Sequence, residues 1–486
     1  MARALMLCGT GSHAGKSLLT AAVCRILHRR GVSVAPFKAQ NMSNNAAVAD
    51  GGEIGRAQAL QAQAAGLAPS VIMNPILLKP VGEMRSQVVE LGQVVGTMDV
   101  HECRDYKLAR GRDAVRRAYA ELAAQHHIVV IEGAGSPAEV NLKSHDVANM
   151  WMAEAADARV LLVGDIDRGG VLASLAGTLE LLEPHETARI AGFVINKFRG
   201  DVSLLTPGLE MLRDRYHKPT FGVIPWLEHT LPEEDGLGVP AHGHPFGPRR
   251  VNVAVLRFPR MANFTDFDPL GVEPDLALRY VDRPGDLDGA DLVILPGSKA
   301  TLSDLAWMRA RGLDAAVSDH ARAGGALLGV CGGYQMLGTR VADPHGVEGG
   351  GEADGLGLLP VTTVMNRRKR CALAAFTPAP GAGLGTEPVS GYEIHMGETR
   401  AQGGAALFAD APPGTGIRHG RVWGAYLHGL LDNDAARRAL LAELRAQRGL
   451  PEPPPVSFRD TVNRSLDALA DGVEKHLDME AILALP

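Results

Sequence analysis

Over the first 225 residues, short uninterrupted apolar runs alternate with longer amphipathic stretches. The runs at 5–8, 32–37, 128–131, 160–163, 190–195 and 221–224 lack polar alternation, as expected of parallel strands buried on both faces. Helical spacing fills the gaps, for example at 16–30, 113–124 and 170–182. Repeated strand–helix–strand order predicts an α/β fold with a doubly wound parallel sheet, whose ligands sit at the carboxyl ends of the strands. The pattern breaks at 226–250, where Pro232, Pro240, Pro245 and Pro248 lie among glycines and acids, and this stretch reads as a linker. A second series of strands follows at 251–258, 292–295, 326–330 and 422–427, with helices after Ser303 and after Asp434. The alanine-rich, acidic end from Ser457 reads as a closing helical element. The predicted organisation is a first α/β domain at 1–230, a linker at 231–250, a second α/β domain at 251–450 and a helical element at 451–486.

Composition narrows the class. The 486 residues are 46% hydrophobic and 21% charged, which suits soluble globular domains. A net charge of −6 argues against a chain-wide grip on nucleic acid or an anionic membrane. The five cysteines are far apart with no Cys-x-x-Cys pair, so neither a zinc knuckle nor a disulfide framework is expected. No apolar run reaches the roughly 18–20 residues of a membrane span, and the chain starts on a strand-like run without a secretory pattern. The expectation is a cytoplasmic protein of small-molecule chemistry, with a homo-oligomer left open.

The first chemistry-bearing motif follows the first run directly: Gly9-Thr-Gly-Ser-His-Ala-Gly-Lys-Ser17. Small residues let successive backbone N–H groups wrap a phosphate at a helix N-terminus, a lysine reaches the terminal phosphates, and a hydroxyl holds Mg2+. Thr10, Gly11, Gly15, Lys16 and Ser17 are therefore nucleotide-binding candidates, in a loop one residue longer than the usual spacing. Glu132 ends the third run beside a glycine turn and is placed to hold Mg2+ opposite Ser17; a turn-capping acid is the plainer reading. Asp165 and Asp167, beside Arg168, suit either a ligand contact or an ion-paired loop.

The second motif is Leu328-Gly-Val-Cys-Gly-Gly-Tyr-Gln335, between an apolar run and a helix. Glycines beside Cys331 permit the tight turn of a nucleophile elbow, which exposes the thiol at a helix N-terminus. Gly332 is then an oxyanion donor, with Gly297 and Ser298 of Leu295-Pro-Gly-Ser-Lys299 as a second donor loop. His428, at the end of the last strand, is the candidate base.

Gly329, Cys331, Gly333 and Gln335 resemble the elbow of the triad-type glutamine amidotransferases. That resemblance implies a flavodoxin-like domain in which Cys331 attacks the side-chain amide of glutamine and liberates ammonia, with Gln335 at the glutamine site. It departs at Leu430, where the family usually carries a glutamate; a Cys331–His428 dyad is expected, with Glu393 as a weaker helper. The first domain resembles the dethiobiotin-synthetase-like ATPases, and Lys38 then matches their second phosphate-facing lysine. The two domains in this order resemble the corrinoid amidases, as do Phe37-Lys-Ala-Gln-Asn-Met-Ser-Asn-Asn45, Glu53-Ile-Gly-Arg-Ala-Gln58, Asn74-Pro-Ile-Leu-Leu-Lys-Pro80 and Gly391-Tyr-Glu-Ile-His-Met-Gly397.

The resemblance implies that ATP with Mg2+ activates corrin carboxylates, which ammonia then amidates at the b, d, e and g positions of (adenosyl)cobyrinic acid a,c-diamide. It makes Gln40, Asn41, Asn44, Asn45, Arg56 and Gln58 candidate corrin contacts, and leaves cobalt to the substrate. Rival readings are an amidase of the same architecture acting on the a and c carboxylates or on a cell-wall precursor, and a bare glutamine hydrolase. A switch ATPase with a deviant P-loop is a rival of another class, and would need no Cys331–His428 pair.

Overall fold

The computed structural model describes residues 2–82, 84–232 and 245–485. Most of the predicted 231–250 linker lies outside the described residues. All six apolar runs of the first half are parallel strands of one sheet, in the spatial order Thr220–Pro225, Ile190–Phe198, Arg159–Asp165, Arg3–Gly9, Ile128–Glu132, Val34–Phe37. Alternation along the central strand feeds two cores. Met6 and Cys8 pack with Val115, Leu122 and Leu175 of the helices Arg112–Gln125 and Val171–Leu181. Leu5 and Leu7 pack on the other face with Leu19, Val23 and Ile26 of the helix Lys16–Arg29.

The closing element does not belong to the second domain's core. Its helix Phe458–Glu474 crosses back to the first domain and buries Val462, Leu466, Leu469 and Val473 with the helix Lys16–Arg29. Arg25–Asp467 at 2.8 Å, Arg29–Asp471 at 2.7 Å and Arg30–Glu474 at 2.8 Å line the seam. Such partly exposed pairs contribute about 0–1 kcal/mol each. Each buried leucine or valine contributes about 1.5–3 kcal/mol, so packing holds the strap and the charges set its register.

The second domain is built on a seven-stranded sheet ordered Leu276–Val281, Val251–Leu256, Leu292–Leu295, Ala326–Val330, Val422–Ala425, Gly416–His419, Ala405–Ala406, the last pairings being antiparallel. Two further four-stranded sheets do not follow from the apolar pattern. One joins Gln40–Met42, Ile76–Gly82, Arg85–Glu90 and Gln93–Asp99 inside the first domain. The other contains the long hairpin Val361–Phe376 with Val389–Ala401, which reaches across to the first domain. There Tyr392 and Ile394 bury with Ala46, Val48, Leu77 and Val89. Beside them Lys369 of the hairpin and Lys79 of the first domain share the buried Glu53 carboxylate, Lys79 at 2.6 Å.

Candidate active centres

The phosphate loop is shaped by backbone constraints. Gly15 caps the helix Lys16–Arg29 at φ +90°, and a Cβ there would lie 2.2 Å from Asn196 Nδ2, so no other residue fits. Asn196 Nδ2 donates to Ala14 O at 3.0 Å, while Thr10 N donates to Val163 O at 2.9 Å and ties the loop to the neighbouring strand. Lys16 Nζ folds over the loop and donates to Gly11 O at 2.9 Å and Gly135 O at 3.1 Å. The buried Glu132 carboxylate collects Ser17 Oγ at 2.8 Å, Lys38 Nζ at 2.7 Å and Gln61 Nε2 at 2.6 Å. Gln61 was missed; its signal was a glutamine on the inner face of the short helix Arg56–Ala64. Asp165 pairs with Lys197 at 2.8 Å and Asp167 with Arg199 at 3.2 Å, so this rim is an ion-paired loop.

These groups open into a cavity of about 1420 Å3 that also takes in Gln40, Asn41, Asn44 and Asn45 and, from the second domain, Phe258, Met261 and Trp307. Gln40 Oε1 and Asn44 Oδ1 are buried acceptors with no hydrogen-bond partner among the described residues. Two expected corrin contacts lie outside this lining. Gln58 is fully buried and accepts from Asn41 Nδ2 at 3.0 Å, because its helix face turns inward beneath the loop. Arg56 turns toward the second domain, 3.8 Å from Asp432, drawn by the acids gathered there.

Cys331 sits between the strand Ala326–Val330 and the helix Gly332–Leu337 at φ 52°, ψ −107°. Such positive-φ strain costs about 1–3 kcal/mol and marks nucleophile elbows. Glycines make the close approach possible: a Cβ on Gly332 would lie 2.8 Å from Ser298 N, and one on Gly333 only 1.9 Å from Leu295 O. Gly332 therefore adjoins the Gly297–Ser298 segment. Ser298 Oγ is occupied with Asp304 Oδ2 at 2.6 Å, leaving backbone rather than hydroxyl donors for an oxyanion. Gln335 is buried, its Oε1 accepting from Thr301 Oγ1 at 2.9 Å and its Nε2 donating to Tyr426 Oη at 3.2 Å.

The expected dyad is corrected by the geometry. His428 Nδ1 lies 2.6 Å from Asp266 Oδ2, and Asp266 Oδ1 accepts from Gly429 N at 3.0 Å. Glu393 instead pairs with Arg370 at 2.5 Å and faces His395 at 3.4 Å. Asp266 comes from the short turn Phe264–Phe267 after the first strand of the domain. Its signal was a carboxylate between two buried phenylalanines. Tyr392 stacks on the imidazole, with ring centroids 5.2 Å apart, and its hydroxyl donates to Ala46 O of the first domain at 3.1 Å. Burial disfavours the charged imidazole, but Asp266 and then Cys331 outweigh it and raise His428 to about 10. A protonated His428 beside Cys331 holds a proton ready for a departing amine.

Comparison with known proteins fits both halves. A family model described as CobQ/CobB/MinD/ParA nucleotide binding domain matches residues 5–237, and one described as CobB/CobQ-like glutamine amidotransferase domain matches 252–436. The chain is thus an ATP-dependent amide ligase that draws its nitrogen from glutamine. It is 50% identical over 505 residues to the cobyric acid synthase of Sorangium cellulosum, with 98% of this chain and 96% of that protein covered. Identity to the cobyric acid synthase of Moorella thermoacetica is 48% over 506 residues, covering 100% and 97% of the two chains. To that of Cereibacter sphaeroides it is 49% over 492 residues, covering 99% of each. The chain belongs to the cobyric acid synthase family. No helix among the described residues is long and apolar enough to cross a membrane.

Proposed function

We propose that this chain converts (adenosyl)cobyrinic acid a,c-diamide to cobyric acid by amidating the b, d, e and g carboxylates, using one ATP and one glutamine per amide. The observation that carries this reading is the pairing, in one chain, of a Cys331–His428–Asp266 centre with a phosphate cradle that opens into a cavity of about 1420 Å3. Whole-length relatives named cobyric acid synthase support cobyric acid as the product. We read 1–230 as the synthase domain and 251–450 as the glutaminase, with 451–486 strapping the two, and place the reaction in the cytoplasm.

In the glutaminase, Cys331 Sγ attacks the side-chain carbon of glutamine, and the oxyanion faces the N–H groups of Gly332 and the Gly297–Ser298 segment. His428 gives its proton to the departing ammonia, while Asp266 holds the ring by Nδ1. Water then releases glutamate from the thioester. Gln335 braces the pocket through Thr301 and Tyr426.

In the synthase, the backbone from Thr10 to Gly15 wraps the phosphates. Lys16 and Lys38 neutralise charge as the γ-phosphoryl passes to a corrin carboxylate. Ammonia attacks the acyl phosphate and inorganic phosphate leaves. Among the described residues no cluster of His, Cys, Asp or Glu suits a resident metal. The hard oxygens of Ser17 and Glu132 do fit Mg2+ arriving with the nucleotide, where it supplies countercharge to the phosphates. The buried acceptors of Gln40 and Asn44 suit the NH2 groups of the two amides already present on the substrate, with Asn41 and Asn45 shaping the loop between them.

Mass spectrometry of cobyrinic acid a,c-diamide incubated with the protein, Mg-ATP and amide-15N glutamine tests the proposal. A product ladder ending at four labelled amides is expected. No mass change, or a ladder that stops short of four labelled amides, overturns it.

A further inference from the structure

A second group of cations borders the same cavity and takes no part in the phosphate loop. The helix Val100–Tyr106, fixed by a capping box between Asp99 and Glu102, runs into a π-helical turn at Lys107–Gly111. Turns of this kind are rare and recur at functional sites. Arg104, Lys107 and, from a neighbouring loop, His145 all face the cavity. Lys107 is half-buried and has no hydrogen-bond or ion-pair partner among the described residues. His145 is held below its ordinary range by burial and then by the charges of Lys107 and Arg104, so it adds a neutral N–H donor beside the two cations. Arg104 pairs with its chain neighbour Asp105 at 2.9 Å, an exposed pair that contributes little and that a ligand carboxylate can replace. Asp99 accepts from His101 N and Glu102 N, and Asp146 from Ala148 N, Asn149 N and Trp151 N.

Apolar side chains gather at the same place. Met42, Met84, Val100 and Leu142 are among the most exposed large hydrophobics of the protein, and all four line this cavity. Apolar groups left facing a cleft rimmed by cations describe a ligand with an apolar body and several anionic arms. On the function proposed above, the substrate is such a molecule, and only one of its carboxylates can occupy the ATP centre at a time. The others carry charge into a half-enclosed cavity and need partners there.

We propose that Arg104, Lys107 and His145 form a carboxylate-holding subsite, which grips the corrinoid arms not under attack while Met42, Met84, Val100 and Leu142 lie against the macrocycle. The inference rests on the corrinoid reading, but fails separately from it. Each amidation removes one negative charge, so the subsite matters most at the first amidation and least at the last.

The experiment compares the full chain with its Arg104→Gln/Lys107→Gln variant, using as substrates cobyrinic acid a,c-diamide and the isolated intermediate that carries five amides and awaits only the last amidation. The expected kcat/KM loss is about tenfold or more for the first and about twofold for the second, with unchanged KM for ATP and unchanged glutamine hydrolysis as the fold control. Lys107→Arg is expected to keep most of the activity, and Lys107→Met alone gives the same graded loss should the double variant fold poorly. An equal loss on both substrates, no loss on either, or a raised KM for ATP overturns the subsite. Wild-type protein that amidates no corrinoid overturns the function itself.

Discussion

The two centres differ in how they treat water. The phosphate cradle lies open to a large cavity, and its cations rest on backbone carbonyls and Glu132, groups that can exchange for a phosphate. The glutamine centre is closed: Cys331, His428 and Asp266 are 8%, 2% and 6% exposed. Burial there strengthens each electrostatic contact, so a single carboxylate decides the charge of the imidazole. One centre is built to admit a large polyanion, the other to hold a small neutral amide away from solvent.

That contrast is breakable one side at a time. Lys16→Ala is expected to lower amidation by about 10^3–10^5-fold with glutamine or ammonia as the nitrogen source, while glutamine hydrolysis persists; a spectrophotometric glutamate assay run beside product mass separates the two. Asp266→Asn acts on the other centre alone. Glutamine-dependent turnover should fall about 10^2–10^4-fold with ammonia-dependent amidation retained. Folding raises His428 from 6.5 to about 10, so its contribution to stability is complete below pH 6.5 and is lost as pH climbs through about 10. The variant, left with burial alone, should therefore lose most stability below pH 6.5, less with each step upward, and converge on wild type above pH 10, as urea titrations would show. The alkaline limb of its glutaminase profile should also move down from near 10.

The seam between the domains is the next smaller effect. Glu53→Gln leaves the Lys79 and Lys369 ammoniums buried without a carboxylate, which costs about 3–5 kcal/mol. Calorimetry should then resolve separate transitions for the two domains; one unchanged transition would remove this cluster from domain docking. Tyr392→Phe deletes only the hydroxyl that donates to Ala46 O, and should weaken the seam by about 1 kcal/mol.

The same contrast explains what could be read from the chain. The phosphate loop is contiguous, Gly9 to Ser17, and the strand before it and helix after it announced themselves by periodicity. The parallel strands were legible because both faces are buried, leaving unbroken apolar runs. The strands at 40–99 were not, because Gln40, Asn41, Lys79 and Gln87, which serve the cavity and the seam, break their apolar runs. Nor was the long hairpin, whose middle carries Asn366-Arg-Arg-Lys-Arg370 because it bridges domains instead of filling a core. Asp266 lay 162 residues from His428 with no motif of its own, and only folding brings it to the imidazole. The strap likewise could be recognised as helical, but not assigned to the first domain, since its apolar stripe says that it packs and not on what.

The most direct test of a shared reaction divided between two centres is Cys331→Ala assayed on cobyrinic acid a,c-diamide with Mg-ATP, once with glutamine and once with an ammonium salt. Amidation should vanish with glutamine and proceed to four amides with ammonium, because the phosphate cradle needs only free ammonia. Failure with ammonium, in a variant that still folds and hydrolyses ATP, would contradict the division, since the acyl phosphate would then depend on Cys331 itself.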